Sequence, residues 1–189
     1  MKNIILASAS PRRADLLRQI GLDFEVMVSD VREDEIKEKD PSRLVERLAL
    51  LKAQAVASAR HDGIVIAADT VVCVDGELLG KPADEREAWE MLRMLSGRSH
   101  QVMTAVAVII QPNLQTLCHV ETTKVFMRPI SEEEILWYLN SGEPYDKAGG
   151  YGIQGKAAVF VEKVEGCYFN VVGLPLAALW RLLAKVGDK

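Results

Sequence analysis

The residues with the means to do chemistry gather at a few points of the chain. Residues 4–13 read Ile-Ile-Leu-Ala-Ser-Ala-Ser-Pro-Arg-Arg, an apolar run that ends in Ser8 and Ser10 and leads into Arg12 and Arg13. Ser10 is a good N-cap, and Pro11 suits the first helical position, where its missing N–H costs nothing. A helix N-terminus attracts anions, and arginine adds a planar fork of donors that matches phosphate. On this stretch alone two readings balance: a phosphate-binding turn, or a capped helix with two solvated arginines. Residues 64–72 set Asp69 and Thr70 inside an otherwise continuous apolar run. A carboxylate in such a segment is costly unless it is paired or bound to a metal, so Asp69 is read as functional rather than as a turn cap. Lys81 lies between Gly80 and Pro82, on backbone with little freedom. It is a fixed cation or an ordinary turn lysine, with equal weight. Residues 146–155 form a glycine-rich segment carrying Asp146, Lys147 and Gln154, and suit a loop that lets a ligand approach the backbone.

These groups need elements to hold them. Residues 4–7 read as a strand, and the helix after Ser10 has Leu16, Leu17 and Ile20 on its apolar face and Gly21 as its stop. Residues 24–28 alternate as a second strand. Residues 30–40, with Glu33, Asp34 and Glu35, read as a solvated loop from which one acidic side chain could turn inward. Residues 42–60 predict a helix with Leu44, Leu48, Leu51 and Ala55 as its stripe and Lys52 at the edge, snorkelling or aimed into a cleft. The run at 64–72 is a buried strand of the kind found in α/β sheets. Asp75-Gly76 signals a hairpin, Asp84 with Glu87 a capped helix start, and Ala88, Met91, Leu92 and Leu95 a core stripe. Residues 102–110 and 117–127 predict a long hairpin, with Thr122 and Thr123 on a half-exposed strand. Ser131 and Glu134 form another capping box, ahead of Ile135, Tyr138 and Leu139. Gly150, Gly152 and Gly155 match G-x-G-x-x-G, but the match follows no strand and opens onto strand-like residues 158–164, so a dinucleotide site is rejected. The last helix carries Leu176, Leu179, Leu183 and Val186. Strands and helices alternate, which predicts an α/β fold with a mixed twisted sheet flanked by helices. Residues 1–189 are expected to form one domain, with a second lobe around 100–145 and a central cleft.

Composition narrows the class. A chain of 189 residues with 49% hydrophobic and 26% charged residues can bury a sizeable core without staples. A net charge of −4 argues against a nucleic-acid partner, which wants a basic domain. The apolar start is too short for a signal-peptide core, and no stretch is long enough to span a membrane, so a cytoplasmic protein is expected. Cys73, Cys118 and Cys167 lack metal spacing and are expected to be buried or chemically indifferent thiols. His61, His100 and His119 are read as structural or exposed. No Walker lysine motif is present, so a P-loop ATPase is set aside.

Taken together, Ser8-Ala9-Ser10-Pro11-Arg12-Arg13, Ala68-Asp69-Thr70-Val71-Val72, Gly80-Lys81-Pro82, Ser96-Gly97 with His100, residues 146–155 and residues 170–176 resemble the Maf family of nucleoside triphosphate pyrophosphatases, related in fold to inosine triphosphate pyrophosphatases. The resemblance runs the length of the chain in the family's order. Gly150 departs slightly, since alanine is expected there at least as often. The resemblance implies cleavage between the α- and β-phosphates of a nucleotide, with Mg²⁺ or Mn²⁺ as cofactor. It implies Asp69 as proton acceptor and Arg12, Thr70 and Gln154 as the residues of substrate choice. Ser8, Arg13, Glu33, Lys52 and Lys81 match positions lining the active site. The pattern is similar to the dTTP/UTP branch. A 7-methyl-GTP pyrophosphatase of the same family, or a non-catalytic nucleotide-binding regulator of cell division, are the alternatives. The chemistry of the residues agrees. Arg12, Arg13, Lys52 and Lys81 suit a triphosphate, with the helix after Ser10 adding oriented N–H groups. Glu33 and Asp69 offer hard oxygen ligands, and the Gln154 amide matches N3–H and O4 of uracil or thymine but not cytosine. A homodimer is plausible, but nothing in the sequence argues for it.

Overall fold

The structure is a computed structural model that describes residues 3–187, with side-chain surroundings described for residues 3–185. Its elements in chain order are β1 (Ile4–Leu6), α1 (Pro11–Gln19), β2 (Glu25–Val26), α2 (Pro41–Ala57), β3 (Ile64–Val74), β4 (Glu77–Leu79), α3 (Glu85–Leu95), β5 (Ser99–Ile110), β6 (Gln115–Met127), α4 (Glu132–Leu139), β7 (Val161–Glu165), α5 (Tyr168–Val172) and α6 (Leu176–Gly187). Short 3₁₀ turns lie at Glu33–Glu35, Pro144–Asp146, Ala148–Gly150 and Lys156–Phe160. The strands form one seven-stranded sheet in the order β2-β1-β3-β5-β6-β7, with β4 on β3. It is mixed: β1 runs parallel to β2 and β3, whereas β4 is antiparallel to β3 and β7 to β6. The expected α/β class with helices flanking a mixed sheet is the observed one.

The described chain divides into two compact units, crossing from one to the other at Asp69/Thr70, Met103/Thr104, Glu121/Thr122 and Val172/Gly173. The first unit holds β1, α1, β2, α2, the first half of β3 and α6. β1 registers Ile5 against Val65 and Leu6 against Ile66, and all three of its residues are buried. β2 is shorter than the expected strand and exposed. The largest departure is in α2. Its buried residues are Val45, Leu48, Ala49, Lys52, Ala53, Val56 and Ala57, a regular i, i+3, i+4 pattern turned from the leucine stripe the sequence suggests. Leu44 and Leu51 are half-buried and Ala55 is exposed. The face that packs is the one rich in Ala and Val, because small side chains let a helix approach closely. Lys52 therefore sits in the middle of the buried face rather than at its edge. On α6 the buried residues among those described are Leu176, Ala178, Leu179 and Leu182, with Leu183 half-buried. The side chain of Val186 lies outside the described residues.

The second unit holds the rest of β3, β4, α3, α4, β7 and α5 around one apolar core. Leu92, Leu95, Val125, Ile135, Tyr138 and Phe160 are fully enclosed in it. Tyr138 meets Phe160 edge to face at 5.7 Å. Asp75 and Gly76 take positive φ at 49° and 84°, the backbone of a tight hairpin turn, and join β3 to β4 as expected. Asp84 caps α3 by accepting from the Glu87 N–H, and Ser131 with Glu134 forms a reciprocal capping box on α4. β6 is half-exposed as expected, with Thr122 and Lys124 exposed and Thr123 and Val125 buried. Thr123 is satisfied there: Asn170 Nδ2 donates to its Oγ1 at 2.8 Å, and the Cys167 N–H does so at 3.0 Å. One expectation fails in this unit. Residues 158–160, read as the start of a strand, belong instead to the 3₁₀ turn Lys156–Phe160, and β7 begins only at Val161. Ala157 and Phe160, three apart, are buried on that turn, a spacing that alternation would have split between two faces.

Because Leu92 is fully enclosed, Leu92→Ala is expected to cost about 3 kcal/mol, measured as the shift of the urea unfolding free energy. A loss below about 1 kcal/mol would mean that this core is not close-packed.

Candidate functional site

In the first unit the ionisable residues converge on Asp69. It closes the apolar first half of β3, 6% exposed, and Lys52 reaches it from α2, 9% exposed. Lys52 Nζ donates to Asp69 Oδ1 at 2.6 Å and pairs with Glu33 Oε1 at 2.8 Å. Of the acidic residues at 33–35, Glu33 is thus the one that turns inward, its side chain still 49% exposed, while Glu35 pairs with Arg32. The 3₁₀ turn at Glu33–Glu35 sends consecutive side chains in different directions, and this separates the two. Burial raises the Asp69 pKa above its ordinary value of 3.8, and the Lys52 and Arg13 charges pull it back down.

Arg13 is held on the first turn of α1. Its Nε donates to the Gly173 carbonyl at 2.8 Å and its Nη1 to Ser8 Oγ at 3.1 Å. Burial lowers its pKa, against the pull of Asp69, and a guanidinium keeps its charge regardless. Ser8 is buried and accepts from the Ser10 N–H at 3.2 Å as well as from Arg13. Ser10 occupies the N-cap position as expected, but its hydroxyl makes no capping bond. Its main-chain N–H is turned to Ser8 instead. Arg12 is half-buried on the same turn.

The other expected site residues lie in the second unit. Thr70 follows Asp69 along β3 and is half-buried. Lys81 and Gln154 are both exposed, on the Gly80-Lys81-Pro82 turn and in the glycine loop. These two segments are fastened together. The Gly149 N–H donates to the Gly80 carbonyl at 2.9 Å, and a Cβ placed on Gly150 would come within 3.7 Å of Pro82. Gly149 and Gly150 take φ of +71° and +68°, a region that favours glycine, and a Cβ on Gly149 would press on Val72 at 3.1 Å. The loop follows a 3₁₀ turn and leads into another, so the rejected dinucleotide motif has neither the strand nor the helix it requires.

Sequence reasoning did not assign roles to Gly173 or Tyr151. Gly173 acts through its carbonyl, which no side-chain pattern reveals. Tyr151 is buried with its hydroxyl 2.6 Å from His100 Nε2, inside a segment read for its glycines and charges. As for a metal, no group of three His, Cys, Asp or Glu side chains is placed to hold one among the described residues. The donors present are two carboxylates, Glu33 and Asp69, gathered on one ammonium. That set fits Mg²⁺ or Mn²⁺, hard cations served by one or two carboxylates with waters and phosphate oxygens completing the shell.

Lys52 neutralises a buried carboxylate, so Lys52→Met is expected to destabilise the protein by about 3 kcal/mol at neutral pH. Without Lys52 the folded-state pKa of Asp69 rises further, and the deficit is largest where Asp69 must be ionised. It should therefore shrink as pH falls through that raised pKa, as protonation removes the unpaired charge. Thermal melting of both proteins across pH checks this; a pH-independent deficit would contradict it.

A model of the family described as Maf-like protein matches residues 3–186. A protein from Symbiobacterium thermophilum named dTTP/UTP pyrophosphatase is 52% identical over 187 residues, 99% of this chain and 95% of the relative. One of the same name from Carboxydothermus hydrogenoformans is 52% identical over 184 residues, covering 97% and 98%. Among solved structures, a HAM1 protein from Coxiella burnetii superposes with a TM-score of 0.50 at 18% identity, covering 98% of this chain and 100% of that one, a likeness of fold. With a family model matched from Asn3 almost to the end of α6, and relatives sharing half of its residues, the chain belongs to the Maf family.

Proposed function

We propose that this chain is a nucleoside triphosphate pyrophosphatase that hydrolyses dTTP and UTP to the nucleoside monophosphate and pyrophosphate. The observation that carries the reading is the buried Asp69 carboxylate, held on Lys52 beside Glu33 and within the field of Arg13. The name of the relatives at 52% identity supports the same substrates. No helix among the described residues is long and apolar enough to cross a membrane.

In this reading Arg13, with its guanidinium plane set by Gly173 and Ser8, grips phosphate oxygens, and the N-terminus of α1 adds oriented N–H groups. Arg12 reports on sugar or base. Lys52 occupies Asp69 Oδ1, so the other carboxylate oxygen takes the proton of the attacking water. That water's oxygen bonds to the α-phosphorus, the bond from the α-phosphorus to the bridging oxygen breaks in line, and pyrophosphate leaves with the electron pair. Lys52 and Lys81 offset the charge that develops on the phosphates. Glu33 and Asp69 would hold Mg²⁺ or Mn²⁺, which when bound neutralises phosphate charge and polarises the scissile group. Thr70 and Gln154 select the base, the Gln154 amide accepting from N3–H and donating to O4.

Incubation with a panel of triphosphates and Mg²⁺ or Mn²⁺, read as pyrophosphate release, tests the function; no release from dTTP, UTP or any modified pyrimidine triphosphate would refute it. Asp69→Asn is expected to lower kcat about a thousandfold, the span of a general base, while nucleotide binding persists. Since burial raises the Asp69 pKa above 3.8, the acid limb of kcat/KM should lie above the ordinary carboxylate range, with activity lost as pH falls through it. Gln154→Ala should narrow the gap between dTTP and dCTP more than it slows dTTP; an equal loss on both would remove Gln154 from base reading.

A further inference from the structure

His100 and Tyr151 form a buried polar pair for which the reaction has no use. His100 is 2% exposed on β5 and Tyr151 is 5% exposed in the glycine loop. Their rings meet edge to face at 5.3 Å and 84°, and His100 Nε2 shares a 2.6 Å hydrogen bond with the Tyr151 hydroxyl. The other ring nitrogen, Nδ1, is buried without a hydrogen-bond partner among the described residues. An apolar side chain would fill this place without that unmet group. The bond to Tyr151 is what a histidine adds.

The placement of Tyr151 gives that bond a consequence. Across residues 146–155 only Gly149, Gly150 and Tyr151 are buried, so Tyr151 is the loop's one large buried side chain, with the half-buried Ile153 packed against the same core beside it. On one side of it, Gly149 and Gly150 fasten the loop to the turn that carries Lys81. On the other side, Gln154 stands three residues away on an exposed turn, closed by the Gly155 N–H donating to the Gly152 carbonyl at 3.0 Å. The geometry points to His100 and Tyr151 as positioning residues: through their shared hydrogen bond they set the part of the loop that presents Gln154, and so govern base discrimination rather than the chemical step, while the Lys81 turn keeps its own bond from the Gly149 N–H to the Gly80 carbonyl. This rests on the reading of Gln154 as the base-reading residue.

Tyr151→Phe keeps the ring and removes only the hydroxyl, His100→Leu removes the imidazole, and His100→Gln returns a polar amide to the same reach. Each of the first two is expected to raise KM for dTTP about tenfold, the scale of one buried hydrogen bond, and to narrow the preference for dTTP over dCTP by a similar factor. kcat should stay within about twofold, because no group touching the phosphates has changed. The double variant should be no worse than the poorer single one, since both remove the same bond, and His100→Gln should recover most of the discrimination. Hydrogen exchange at the Gly149, Gly150 and Gly155 amides, which are hydrogen-bonded within this assembly, should quicken in Tyr151→Phe while α3 keeps its protection. A fall in kcat with KM and base preference unchanged would overturn the proposal, as would additive effects or unaltered exchange at the three amides. If the unaltered protein hydrolyses no triphosphate, the functional reading falls instead, and the exchange measurement still judges the anchor by itself.

Discussion

A lysine ammonium buried between two carboxylates is the constraint the site in the first unit depends on. Neither Lys52 nor Asp69 could be taken out of water alone, since an isolated charge in such surroundings would neutralise itself or unfold its surroundings. Their 2.6 Å contact makes the burial of each tolerable, and Glu33 extends the pair towards solvent. The remainder of the unit is arranged to deliver these groups. β3 carries Asp69 to the end of a buried apolar run, and α2 turns its alanine and valine face inward so that Lys52 arrives along the same stripe. The result is an almost fully enclosed carboxylate whose pKa burial pushes up and the Lys52 and Arg13 charges pull back down. Such a balance of burial against neighbouring cations is how proteins tune an acid or base for catalysis.

Arginine 13 shows the same economy at the strand–helix junction. Two acceptors of different kinds, a serine hydroxyl and a main-chain carbonyl, hold its guanidinium by two of its donors. An unrestrained arginine would lose rotamer freedom each time it met a phosphate. Here that freedom is already spent in the folded protein, as preorganised electrostatic stabilisation requires. The second unit uses backbone rather than charge. Two left-handed glycines, one main-chain hydrogen bond and a buried tyrosine fix the segment that carries Gln154 against the turn that carries Lys81. An exposed amide can read a base edge only if the loop beneath it does not move.

Several features were legible before any coordinates. The hairpin at Asp75-Gly76, the caps at Asp84 and Ser131 and the core stripe of α3 follow from local chemistry, and each appears where it was expected. The misreadings share a cause. For α2 the large leucines outweighed the small residues in the reading, yet close packing selected the alanine and valine face. At residues 158–160 the apolar run looked like the start of a strand, but the burial of Ala157 and Phe160, three apart, belongs to a 3₁₀ turn.

By itself, then, the sequence determined the class of fold, the family, and the stock of carboxylates, cations and glycine turns from which a phosphate-handling site is made. These are set by residue type and short-range spacing, which act within a turn or two of chain. Only the tertiary structure decided that Lys52 sits within the buried face of α2 and that its ammonium meets both Glu33 and Asp69. The same holds for the Gly173 carbonyl on Arg13 and for His100 beneath Tyr151. Each of those is a contact between residues distant in sequence. Burial turns such contacts from optional into obligatory, because a polar group removed from water must find its partner wherever the fold has put one.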